Sequence, residues 1–144
     1  MRSLLDINLI VALLDSAHVF HRSAQTLLGK GQNGWAICPI TENGVIRILS
    51  QNAYPNSLPP SKIAERLAEA CQHPTHEFWP KTISLLTDGM IRRQNLLSPR
   101  QITDAYLLAI AVVNQGKFVS FDQHINLSVV SGATPANLHV VQHS

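Results

Sequence analysis

The chain has 144 residues, 45% of them hydrophobic and 14% charged, with a formal net charge of +2. These proportions exclude a disordered tail protein, and the length suits one domain, residues 1–144, built on one core. A charge this small neither defines nor opposes a nucleic-acid binder. Cys38 and Cys71 lack metal-site spacing and disulfide density, and they read as reduced thiols of a cytoplasmic protein. The apolar opening MRSLLDINLIVALLD contains Asp6 and Asp15. It has no small-residue cleavage site and is too short for a bilayer, so it reads as neither a secretion signal nor a membrane span.

In chain order, Arg2–Leu5 is a short apolar run consistent with a buried strand that ends at Asp6. Leu9–Leu14 continues as a helix, and a second helical segment spans about Val19–Leu28, with His18 and His21 near its start. Gly29–Gly34 is a loop. Trp35–Ile40 is the next strand, after which Thr41 is placed to cap a helix reaching about Ser50, with Glu42 in its first turn. Gln51–Pro60, with three prolines and two asparagines, is a loop. Ser61 is the expected cap of a helix over Lys62–Gln72. His73–Pro80 reads as irregular and Lys81–Met90 as a short helix. Thr103 is the expected cap of a helix from Asp104 to about Asn114, Gly116 marks a turn, and Lys117–Asp122 is a strand. Ser131–Ala136 is a loop and Leu138–Val141 a final strand. Strands alternating with helices predict an α/β fold, a mostly parallel sheet covered on both faces.

Four of the nine acids occupy corresponding places. Asp6 and Asp122 end strands; Glu42 and Asp104 open helices. The helix from Asp104 runs roughly 15 Å at about 1.5 Å per residue. The following strand returns roughly 16 Å at about 3.3 Å per residue, so Asp104 and Asp122 finish at one edge. In parallel α/β folds, strand C-termini and the N-termini of the following helices share that edge, which lets all four carboxylates converge. Convergent oxygen ligands suit Mg²⁺ or Mn²⁺, and like charges this close require a cation or a proton. The alternative is structural: an acid in a first helical turn is favoured by the helix dipole alone.

Taken together, LLDINLIVALL, ITENGVIRIL, TDAYLLAIAV and FVSFD resemble the PIN-domain ribonucleases, most closely the VapC-type toxins of toxin–antitoxin pairs. The matching residues are Asp6 with Asn8, Glu42 with Arg47, Thr103 with Asp104 and Ala105, and Phe121 with Asp122, in family order over nearly the whole chain. The resemblance implies a three-layer α/β/α sandwich with a central parallel sheet. It also implies a Mg²⁺- or Mn²⁺-dependent endoribonuclease with Asp6, Glu42, Asp104 and Asp122 as catalytic acids. Asp6, Asp104 and Asp122 would hold the metal. The implied setting is a cytoplasmic homodimer acting on RNA. A small cognate antitoxin would neutralise it, and the operon's DNA would be reached only through that antitoxin. Many relatives carry another acid just past the fourth. Here Gln123, His124 and Asn126 stand in that region, which puts a second metal in question.

Asn8, Arg47, Thr103, Arg92 and Arg93 are the candidate substrate contacts, the last two because they form a local basic cluster with Arg100. His18 and His21, three apart, would share a helix face in a surface or substrate-edge role. His124 is a candidate phosphate contact. Trp35 and Tyr106 read as packing residues and Trp79 as an interface residue. Two rival functions fit the same pattern: an aspartyl phosphatase or phosphotransferase using Asp6, and a non-catalytic RNA- or partner-binding module.

Overall fold

The computed structural model describes residues 1–30 and 34–142. Five strands form one parallel sheet: β1 (Ser3–Leu5), β2 (Trp35–Ile37), β3 (His76–Phe78), β4 (Lys117–Ser120) and β5 (Leu138–Val140). Their spatial order is β3-β2-β1-β4-β5. Leu4 pairs with Ala36 on one side and Phe118 on the other. The helices are α1 (Ile7–Leu14), α2 (His21–Lys30), α3 (Pro39–Leu49), α4 (Pro60–Ala70) and α5 (Gln101–Val113).

The two-residue period of the strands divides the core. Leu5, Ile37 and Val119 face a cluster completed by residues of α1 to α4. Leu4, Ala36 and Phe118 face a second cluster formed with α5 and the segments flanking it. Both faces of the sheet are therefore covered, as expected of an α/β/α sandwich. Among the described residues no helix is long and apolar enough to cross a membrane.

Several boundaries differ from the sequence reading for identifiable reasons. Helix α2 begins at His21, not Val19, and runs through Gly29 to Lys30; residues 31–33 of the expected loop lie outside the described residues. Helix α3 starts at Pro39, whose fixed φ suits the first helical position. Thr41 therefore lies in the first turn, where its Oγ1 accepts from Cys38 N at 2.9 Å. Pro59 and Pro60 likewise open α4 ahead of Ser61. Helix α5 begins two residues before Thr103, and Gln101 Oε1 accepts from the Leu97 and Ser98 amides at 2.6 and 2.9 Å.

The segment read as irregular contains β3, a three-residue strand defined by its pairing with β2. Arg2 holds it, donating to Thr75 O at 2.6 Å and pairing with Glu77 at 3.3 Å. Trp79 is not an interface residue: it is 4% exposed and donates to Glu77 Oε1 at 2.9 Å. The helix expected over Lys81–Met90 is absent. Ile83 and Leu85 pack inward while Leu86 is 80% exposed, an alternation that a helix would not produce. The turn after α5 takes its positive φ at Gln115, 58°. Gly116 serves close packing instead, since a Cβ there would lie 2.4 Å from the Trp79 ring and 2.7 Å from Arg2 O.

Candidate active site

Strand β1 delivers Asp6 to the C-terminal edge of the sheet, where Asp6 N donates to Val119 O at 2.9 Å. Its extended backbone makes it the N-cap of α1, with Oδ1 accepting from Ile7 N at 2.7 Å. The residue is 6% exposed. Its other oxygen, Oδ2, accepts from Ser120 Oγ at 2.5 Å.

Ser120 was not singled out from the sequence, yet it organises the edge. It is fully buried at the end of β4. A hydroxyl has one proton to donate and two lone pairs. The proton goes to Asp6, and the lone pairs receive Asp122 N at 3.0 Å and, at 3.5 Å, Asn8 Nδ2. One serine thus ties the end of β1, α1 and the second residue after β4 together. A lone hydroxyl in the apolar FVSFD run, two residues before the acid, was the available signal.

Asp104, half-buried in the first turn of α5, comes from the other side of the sheet. Its carboxyl hydrogen-bonds to that of Asp122. Burial, that hydrogen bond and the charges of Asp6 and Asp122 push Asp104 up from 3.8 to about 7. Burial also raises Asp6, against the lowering effect of the Ser120 and Ile7 hydrogen bonds, and Asp122 adds to the rise. Asp122 Oδ1 accepts from His124 N at 2.8 Å.

Three aspartates therefore converge with no Lys or Arg paired to any of them among the described residues. They fit a hard divalent cation: the donors are all carboxylate oxygens, and two of the three are already raised by their surroundings. Among the described residues no group of three or more His, Cys, Asp or Glu side chains is placed to hold a metal ion by itself. Mg²⁺ does not require one, since it keeps several waters and takes only one or two carboxylates.

The other sequence candidates are less central. Glu42 is exposed on α3, and the thiol on which its charge acts is Cys71, which burial first and Glu42 second push upward. Arg47 and Thr103 are exposed on their helices. Arg92 donates to Ser128 O at 3.0 Å and Arg93 pairs with Asp88 at 2.5 Å, so both hold surface loops. His18 precedes α2 instead of sharing its face with His21. Its Nδ1 accepts from Phe20 N at 3.0 Å, while His21 Nδ1 lies 2.7 Å from Ala12 O. His124 and Asn126 line a small depression with Asp104.

A parallel sheet in this strand order with an aspartate triad at its C-terminal edge defines a class, and residues 3–129 match the PIN domain. The chain belongs to the PIN-domain family, among its VapC-type members. It is 48% identical over 139 residues to Ribonuclease VapC44 of Mycobacterium tuberculosis, covering 96% of this chain and 98% of that one. Ribonuclease VapC39 of the same organism is 34% identical, over 92% and 96% of the two chains. The solved structure of M. tuberculosis VapC20, described as a Sarcin-Ricin loop cleaving toxin, superposes with a TM-score of 0.60 at 11% identity. That match covers 92% of this chain and 99% of that one, and it speaks to the fold.

Proposed function

We propose that the chain is a Mg²⁺- or Mn²⁺-dependent endoribonuclease, the toxin of a toxin–antitoxin pair, hydrolysing RNA phosphodiester bonds at Asp6, Asp104 and Asp122. The observation that carries this reading is the uncompensated triad, with Asp104 held near 7 by its neighbours. A divalent cation bound there supplies the positive charge and water activation that phosphodiester hydrolysis needs. Ser120 and the Ile7 amide hold Asp6 in one orientation, and the His124 amide holds Asp122. A cation held there would favour the ionised form of Asp104. Glu42, at the opening of α3, has an outer role, orienting water or substrate without contacting the triad. Asn8 reaches the same network through Ser120.

The relatives named as ribonucleases support the activity. The family resemblance of the sequence motifs further suggests a cytoplasmic homodimer held in check by a small antitoxin. An aspartyl-nucleophile mechanism fits poorly, because Asp6 is nearly inaccessible and both its oxygens are engaged. The test is cleavage of RNA with and without Mn²⁺ by the parent chain, Asp6→Asn and Asp104→Asn, with folding checked by circular dichroism. Loss of cleavage in both folded variants is expected. Metal-dependent cleavage retained by either one rejects the assignment, and RNA binding without cleavage in the parent indicates a non-catalytic module.

A further inference from the structure

A groove on the far side of β4 from the Asp104 helix has no part in the site described so far. It lies between α2 and the edge strand β5, encloses about 620 Å³, and is lined by Arg22, Ser23, Thr26, Lys30, His139 and Gln142 together with apolar side chains. A second depression of about 180 Å³ shares Leu27, Lys30 and His139 with it and adds Lys117. Among the described residues no Asp or Glu lines either one. Arg22 and Lys30 are exposed, Lys117 is half-buried, and none of the three forms an ion pair among the described residues. Arg22 stands in the first turn of α2, where the helix dipole disfavours a cation, so local helix stability does not account for it.

Both flanks of the groove are tied to residues just before Asp122. Phe20, just before α2, packs on Phe121 with ring centroids 5.1 Å apart. At the other wall Val141 N donates to Ser120 O at 2.8 Å. From there α2 leads about 15 Å, at about 1.5 Å per residue, to Lys30 beside the start of β4. A polyanion crossing three carboxylates is repelled unless cations flank the crossing, and Arg92 and Arg93 are engaged with Ser128 and Asp88.

We infer that this groove binds the sugar-phosphate backbone of single-stranded RNA leading away from the aspartate edge, with Arg22, Lys30 and Lys117 as phosphate contacts and Ser23 and Thr26 as hydroxyl donors; the inference rests on the ribonuclease reading above. Cations and hydroxyls lining these depressions, with no carboxylate among the described lining residues, match a phosphate chain better than a protein segment, which would need its own polar groups paired.

The test uses the full chain carrying Asp104→Asn in chelator, so that binding is read without cleavage. A fluorescent mixed-sequence single-stranded RNA is titrated at several salt concentrations. Arg22→Gln/Lys30→Gln/Lys117→Gln is compared with the parent and with a control of equal charge loss elsewhere, Lys62→Gln/Arg66→Gln/Lys81→Gln. The groove variant is expected to lose about tenfold or more in affinity at low salt, and its salt slope to fall by about 2, at about 0.7 per single-strand phosphate contact. The control is expected to keep the parent slope. If Lys117→Gln prevents folding, Arg22→Gln/Lys30→Gln carries the test with a slope change of about 1.4. Unchanged RNA binding, or an equal loss in the control, overturns the inference. So does a loss of polyglutamate binding with RNA binding intact, which would make an acidic protein segment the occupant. Groove-dependent RNA binding by a parent chain that never cleaves would reject the ribonuclease reading alone.

Discussion

Replacing Asp104 by Asn should make the metal-free protein more stable at neutral and higher pH while removing its response to cations. In the folded chain Asp104 titrates at about 7 instead of 3.8. Between those values the folded state holds a proton that the unfolded state has released. Unfolding free energy therefore falls as pH rises through this window and levels off above it. A shift of roughly three pH units has a ceiling near 4 kcal/mol, at about 1.36 kcal/mol per unit. Asp104 is only half-buried, and solvent screening reduces the expected effect to on the order of 1–2 kcal/mol. In Asp104→Asn the penalty is absent, and an amide can still donate to Asp122. The assay is thermal denaturation in chelator at a series of pH values, reading the variant minus the parent so that other titrations cancel. The variant should gain about 3–6 °C at the alkaline end and nothing near pH 4, at about 3 °C per kcal/mol for a chain of this size. Adding Mn²⁺ should stabilise the parent by mass action and leave the variant unmoved. A variant less stable than the parent above pH 7, or a difference independent of pH, would refute the electrostatic account of the triad.

Ser120→Ala should lower Mn²⁺ affinity by about ten- to a hundredfold, because outer partners set ligand orientation; calorimetric titration reads it, and unchanged affinity would make Ser120 a packing residue. Gly116→Ala should destabilise the fold by about 1–3 kcal/mol in denaturant titrations, since the new methyl meets the Arg2 carbonyl as well as the Trp79 ring. Glu42→Gln should lower the pH at which Cys71 becomes reactive to alkylation, leaving the burial contribution in place. Its cleavage should stay above that of Asp6→Asn, and an equal loss would bring Glu42 into the metal site.

How much of the site was legible follows from the range of the forces involved. Asp6, Asp104 and Asp122 could be placed at one edge because strand and helix rises are local constants and a parallel sheet aligns its C-termini. The alternation that puts Leu4 and Leu5 on opposite faces is equally local. Cap positions were misread wherever proline fixed the backbone earlier than the best polar cap, as at Pro39 and Pro60. Strand β3 was invisible because three residues carry no pattern of their own and exist as a strand only through β2.

The sequence by itself determined the class of fold, the apolar faces and three acids at the ends of elements, all consequences of neighbours along the chain. Tertiary structure decided the rest. Only in space does Ser120 meet Asp6 across 114 residues, and only burial beside two other carboxylates raises Asp104. Glu42 acts on Cys71 because α3 packs against α4. Arg22, Lys30 and Lys117, scattered through the chain, become one basic groove because β5 closes the sheet beside α2. Hydrogen bonds, desolvation and charge fields depend on distance through space, and the fold alone sets those distances.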